Sequence, residues 1–447
     1  MTSFSSQYPP KLQWYHPHFH GSTSLQTSQG AAGMLIIEEP DDYNLPDIVK
    51  DMPQVEMIFQ HIDLPRLHTA AKHSGSKLTT WVEGDNFHIT NTTTDRTDLL
   101  LVNMQYMPVV TMETGKWYRW RMVMSSAVES MVIRASDNNC QFQLLSKDGI
   151  FLTDAPRGVR TLFMTPGNRA DVAVRCDAVG TTRMIPVAQR SNRFVPPPMQ
   201  MPEDVPENAG DWVDQPEIMT INVVEPSNDD HDSDDYIVVD DEDLEPFEVD
   251  RPCYLVDLRD VDIVDDDPLS INFRCNSEGC NVNDIPWQDK DTYMKEYPLG
   301  SVQEIELANV GFHPYHQHVN PFQIHSIVLG DDGKENTEVM NWYKEGDFHD
   351  TFQYPTAGTA KIRFAVNSFN GHMVMHCHIL THEDRGMMAQ YNLLGKEGTI
   401  WEGSRDVDPT CILPSSYSSI ENKVVTQFEE EIEEEVVSSV WRKDKKQ

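Results

Sequence analysis

His376-Cys377-His378-Ile379-Leu380-Thr381-His382-Glu383-Asp384-Arg385-Gly386-Met387 gathers one thiol, three imidazoles and a thioether within twelve residues. Alternate side chains of a β-strand point to opposite faces. On a strand, His376 and His378 therefore share one face while Cys377 takes the other. One short strand can thus touch two metal centres, a soft one through Cys377 and a nitrogen-rich one through the flanking histidines. A cysteine with two histidines and a weak methionine ligand suits copper of the electron-transfer kind.

Working outward, the chain reads as all-β. Strand-like runs fall at 33–38, 55–64, 117–124, 170–175, 218–224, 302–310, 322–329, 360–366 and 386–394, separated by turn-rich segments. Short strands at such spacing indicate β-sandwiches rather than βαβ units. Residues 191–216 are rich in proline and polar residues and read as a loop or linker, and residues 227–250 are strongly acidic and read as exposed. The expected organisation is a short β remnant over 1–46, a sandwich over 47–225, an acidic linker over 226–251, a second sandwich over 252–404 and an acidic tail over 405–447.

The net charge of −37, from 72 acidic and 35 basic residues, argues against a nucleic-acid partner. No apolar run is long enough for a membrane span, and the first residues lack the basic and apolar regions of a signal peptide. Of seven cysteines, setting Cys377 aside leaves six, an even number compatible with disulfides in an oxidising compartment. Cys275 and Cys280 are close enough to close a small loop, and Asn91-Thr92-Thr93 is a glycosylation sequon.

Nine of the 17 histidines lie in three windows. The first is Trp14-Tyr15-His16-Pro17-His18-Phe19-His20-Gly21. The second is His313-Pro314-Tyr315-His316-Gln317-His318, and the third is the stretch quoted above. A lone His-x-His pair is commonly a solvent-facing pair, but three such windows with a cysteine inside one of them point to metal. His316 and His318 share a strand face and can reach one polynuclear site, whereas His313, set apart by Pro314, can turn to another.

These motifs make the chain resemble the multicopper oxidase family, specifically laccase-like members built from three cupredoxin domains, closer to bacterial and algal members. WYHPHFHGSTSLQ with GAAGMLIIEE, HPYHQHVNPFQI and HCHILTHEDRGM resemble the family's second, third and fourth copper motifs. LLVNMQYMPVVTMETGKWYRWRMV and PGNRADVAVRC resemble its middle, non-copper domain. The resemblance implies tandem cupredoxin-like Greek-key sandwiches and a type 1 copper held by His313, Cys377, His382 and axial Met387, these being the residues that carry electron transfer. It implies type 2 copper on His316. One type 3 copper would be held by His18, His318 and His376, and the other by His16 and His378. His20 has no family role; on alternation it would share the face of His16 and His18.

The family's first motif, an upstream HxH pair, is absent, so the expectation is an N-terminally truncated sequence whose type 2 site keeps a single protein histidine, His316, and one of whose type 3 sites keeps only two, His16 and His378. The implied activity is one-electron oxidation of a small phenolic or metal-ion donor coupled to reduction of O2 to water, in a secreted or extracytoplasmic protein. The alternative is a cupredoxin-type copper-binding or electron-transfer protein without oxidase activity. Glu383 and Asp384, beside His382, are candidates for binding a cationic donor or taking a phenolic proton, or for a surface salt bridge. Met373, Met375 and Met388 are expected in the core.

Overall fold

A computed structural model describes residues 11–41, 43–63, 98–186, 217–226, 244–263, 268–276, 279–285, 287, 292–308, 313–329, 340–354 and 358–407. The proline-rich segment, the sequon and the tail beyond 407 lie outside these residues.

Two pairs of sheets account for most of the described chain. The first pair sets a seven-stranded sheet, whose main path runs Arg157–Val159, Cys140–Lys147, Arg169–Cys176, Tyr118–Met124, Gln54–Asp63, Asp98–Val102, with a five-stranded one. The second pair has five strands in each sheet and lies between Leu269 and Leu394. Non-consecutive strands are neighbours throughout, including parallel pairs such as Met219–Val224 with Val109–Glu113. Such crossing connections are those of Greek-key sandwiches.

The strand Tyr118–Met124 shows why the sequence folds this way. Its apolar residues Trp120, Met122 and Met124 are buried in the sandwich core with Phe59 and Phe163. The alternate face carries Arg119 and Arg121, which are equally buried. A buried guanidinium requires paired acceptors. Arg119 donates to Asp171 at 2.5 Å and to Glu39 at 2.8 Å, so this face is covered by the chain that follows the N-terminal hairpin.

That hairpin pairs Lys11–Tyr15 with Gly33–Ile37 and packs against the first sandwich. At Gly149, with φ +76°, a Cβ would meet the Leu12 carbonyl oxygen at 2.7 Å, so only glycine permits this close approach. The acidic linker is described from 244 onward. There Phe247 donates its N–H to Ala155 at 2.9 Å and packs edge-on to Phe151, so this portion is anchored on the sandwich rather than freely exposed.

Disulfides join Cys140 to Cys176, partners in adjacent strands, and Cys275 to Cys280, closing the hairpin expected from their spacing. Cys377 is a free, buried cysteine. Among the described residues no helix is long and apolar enough to cross a membrane.

Candidate metal centres

The strand Gly371–Cys377 lies between Met388–Leu394 and Tyr315–Gln317, and the register places Tyr315 opposite Cys377 and His316 opposite His376. Two of the three histidine windows are thereby cross-strand neighbours. The alternation expected at 376–378 sends Cys377 and the two histidines to separate clusters.

On one side, Cys377 Sγ lies 3.6 Å from His313 Nδ1 and 3.8 Å from His382 Nδ1. Sulfur and imidazole nitrogen on one first-row ion, at bonds of ~2.3 Å and ~2.0 Å and angles of ~110–120°, lie ~3.5–3.8 Å apart. Met387 is buried; its carbonyl accepts the Cys377 N–H at 3.1 Å and its own N–H is donated to the His382 carbonyl at 3.0 Å. His382 stands on the one-turn helix Leu380–Glu383 and is the least buried of the three closest donors. Burial pushes the Cys377 thiol up and the His313 imidazole down to about 3, which leaves that imidazole neutral with a lone pair to offer.

On the other side, the Nε2 atoms of His18, His318 and His376 form a nearly equilateral triangle with edges of 3.2, 3.3 and 3.3 Å. Three nitrogens bound to one ion at ~2.0 Å with near-tetrahedral angles lie ~3.3 Å apart. His316 stacks edge-on to this set, its ring 4.9 Å from His318 and 5.1 Å from both His376 and His378. His16 completes the group, 5.5 Å from His18 and His378, with Trp14 stacked on it at 4.2 Å. Burial lowers His16 and His318 to about 4 and holds His316, His376 and His378 well below the ordinary range. The Nδ1 of His378 is buried without a hydrogen-bond partner. Neutral imidazoles aimed nitrogen to nitrogen, one of them orphaned, are a donor set suited to copper.

Comparison with known proteins agrees with this geometry. Two multicopper oxidase family models match, one over residues 61–190 and the other over 260–394, together more than half of the chain. The chain belongs to the multicopper oxidase family. It is similar to a bilirubin oxidase from Albifimbria verrucaria, 23% identical over 411 residues, which covers 87% of this chain and 62% of that protein. It is also 23% identical to the multicopper oxidase mco of Staphylococcus aureus, covering 84% of this chain and 67% of that one. Among solved structures, the McoA multicopper oxidase from Aquifex aeolicus matches with a TM-score of 0.59 at 21% identity, over 87% of this chain and 76% of that one. A Campylobacter jejuni multicopper oxidase matches with a TM-score of 0.56 at 18% identity, over 86% and 72%. The chain therefore spans about three fifths of the length of the curated bilirubin oxidase it matches, and these structural likenesses carry the fold.

In this multicopper oxidase chain the two acidic residues beside His382 are not free to meet a donor, contrary to expectation. Glu383 is fully buried, its carboxylate 3.5 Å from His18 Nδ1 and 3.4 Å from His376 Nδ1. It also accepts from the Thr23 hydroxyl at 3.3 Å, and burial raises it to about 8. The proton on His376 Nδ1 is held by the Cys377 carbonyl, 3.1 Å away, which can only accept, so the Nε2 lone pair turns toward the shared centre with the Glu383 carboxyl group packed beside it. Asp384 accepts the backbone N–H groups of Gly21, Thr23 and Ser24 at 2.8, 3.1 and 2.8 Å. The pair thus clamps the segment that follows His16 and His18 onto the one-turn helix carrying His382. Sequence proximity to His382 suggested a surface role because it does not reveal which way a one-turn helix faces.

His20 also departs from expectation. The strand ends at Tyr15, so alternation does not extend through Pro17, and the His20 ring lies 6.1 Å from Trp287. Met373, Met375 and Met388 are buried in the core as expected. One orienting contact lay beyond sequence reading: His316 Nδ1 donates to the Asp350 carbonyl at 2.8 Å and lies 2.9 Å from the Thr351 hydroxyl, on an adjacent strand.

Proposed function

We propose that this chain carries the donor-oxidising and most of the oxygen-reducing machinery of a laccase-like multicopper oxidase. In this reading His313, Cys377, His382 and Met387 hold type 1 copper, His316 holds type 2 copper, and His16, His18, His318, His376 and His378 hold the type 3 pair. Bound copper would supply one-electron oxidation at the first cluster and four-electron reduction of O2 to two waters at the second. The observation that carries the reading is the junction at residues 376–378. Cys377 faces one donor set and its two covalent neighbours belong to the other, so the centres are joined by a few bonds of one strand.

The protein's own part follows from burial and orientation. Cys377, Met387 and His313 are shut away from water, while His382 forms the more accessible edge where a small donor would approach. A phenol, an aromatic amine, or a metal ion such as Cu(I), Fe(II) or Mn(II) suits that edge, since nothing larger than an electron has to pass. The Cys377 and Asp350 carbonyls hold protons on the Nδ1 atoms of His376 and His316, so these two rings are oriented before metal arrives. Two disulfides support an extracytoplasmic location.

A copper-binding, electron-passing protein without oxidase activity is the second reading. Its support is that, among the described residues, only His18, His318 and His376 close a compact nitrogen set, while His16, His316 and His378 stand around it. Oxygen uptake by the copper-loaded protein separates the two. The oxidase reading expects one O2 consumed per four electrons delivered by a phenolic or metal-ion donor. A blue, copper-loaded protein that consumes no oxygen with any of these donors would establish the second reading instead.

A further inference from the structure

Among the described residues the first sandwich contributes no histidine to either cluster, yet one of its side chains is wired to three parts of the histidine site. Arg169, first residue of the strand Arg169–Cys176, is 1% exposed. Its Nη1 donates to Asp350 Oδ1 at 2.8 Å and to the Gly167 carbonyl at 2.9 Å. Its Nη2 donates to Asp350 Oδ2 at 2.5 Å, Gln13 Oε1 at 3.0 Å and the Asp148 carbonyl at 3.0 Å.

Three of these four partners lead to different histidines of the cluster. Asp350 is the residue whose carbonyl takes the His316 Nδ1 proton, and its Oδ1 also accepts the Thr351 hydroxyl at 2.8 Å. With that hydroxyl proton committed to Asp350, Thr351 can only accept from His316, which fixes the tautomer and leaves His316 Nε2 as the donor to metal. Gly167, at φ +85°, forms the wall under His378: a Cβ there would lie 2.5 Å from the ring's Nε2. Gln13 lies on the strand Lys11–Tyr15, which delivers Trp14 and His16. His316, His378 and His16 are the histidines outside the closed nitrogen triangle.

We propose that Arg169 is a positioning residue for the histidine cluster, through which the ligand-free sandwich sets the orientation of His316 and the placement of His378 and His16. A planar guanidinium is suited to this because its fork holds the Asp350 carboxylate in one geometry while its remaining N–H groups reach backbone and amide oxygens. The proposal rests on the copper reading of the histidine cluster for its functional consequence, but the orientation of His316 is a property of the metal-free protein.

The test uses the full chain and two variants, Arg169→Gln and the double variant R169Q/D350N, the latter removing the Asp350 charge that Arg169 would leave unpaired. In metal-free protein with 15N-labelled histidine, the His316 Nδ1–H resonance should be slow to exchange in the wild type and lost in both variants. In copper-loaded protein, the blue absorption should stay at wild-type intensity while affinity for the remaining copper falls about 10–100-fold, read by metal analysis and the type 2 electron paramagnetic resonance signal. A residue with a merely structural role would lower the blue absorption and the melting temperature together with the rest. If the double variant keeps both the His316 resonance and the non-blue copper, the proposal is overturned. If the wild type binds blue copper alone, the copper reading of the histidine cluster fails, and the His316 resonance by itself upholds or overturns the positioning role.

Discussion

Lys147→Met should make this protein more stable, and by an amount that depends on pH in a defined way. Lys147 ends the strand Cys140–Lys147 with its side chain fully buried and its ammonium without a hydrogen-bond partner. The ammonium sits 4.4 Å from the centre of the Trp342 ring and 4.7 Å from that of Tyr343. Burial lowers the lysine from 10.5 to about 7, with nearby Asp148 and Asp347 opposing only part of the shift. A displacement of that size is worth ~5 kcal/mol at about 1.4 kcal/mol per pH unit. Above 10.5 the lysine is neutral in both folded and unfolded chains. Between 10.5 and about 7 the unfolded chain binds a proton that the folded chain refuses, so stability falls as pH falls. Below about 7 both are protonated and the cost is constant. Methionine fills nearly the same volume and makes favourable contacts with aromatic rings, so the variant lacks this penalty. Urea unfolding of the metal-free protein should show the stability gap between variant and wild type widening by ~2–3 kcal/mol from pH 9.5 to pH 7.5. A gap that is the same at both pH values would refute the reasoning, because it would show that Lys147 carries its ordinary protonation inside the fold.

Cys377→Ser should abolish the blue absorption of copper-loaded protein while costing no more than ~1–3 kcal/mol in unfolding; blue colour that persists would remove Cys377 from the type 1 site. Gly167→Ala should destabilise by at least ~1–2 kcal/mol from its positive φ alone, and a crystal structure should show the His378 ring displaced; wild-type stability with an unmoved ring would show that the wall at Gly167 is not tight. Glu383→Ala should leave the blue absorption in place and weaken copper binding at His18, His318 and His376 by about 10–100-fold, measured by metal analysis. Equal affinity in that variant would mean the carboxylate does not orient His18 and His376.

Much of the site could be read from short-range chemistry. His376-Cys377-His378 needed only the two-residue period of a strand, and that strand is present at Gly371–Cys377. The split between His313 and the pair His316 and His318 needed only Pro314 and the same period, realised in Tyr315–Gln317. Apolar runs such as Phe322–Leu329 and Met388–Leu394 mark core strands for the same reason. The reading failed at His20, where the strand had ended, and at Glu383 and Asp384, whose direction depends on how a one-turn helix meets a segment some 360 residues earlier in the chain.

What the sequence determined by itself is therefore the set of donor atoms and the local geometry that points them, because bond lengths, strand pleating and proline act over a few residues. Tertiary structure decided which donors meet. His18 reaches His318 and His376 across 300 and 358 residues, a juxtaposition only packing can create. The same holds for Glu383 beneath the nitrogen triangle, Arg169 joining the ligand-free sandwich to His316, and Lys147 closed between aromatic rings. Each is a buried polar group whose role comes from partners distant in sequence, and burial makes those partners matter because water is not there to replace them.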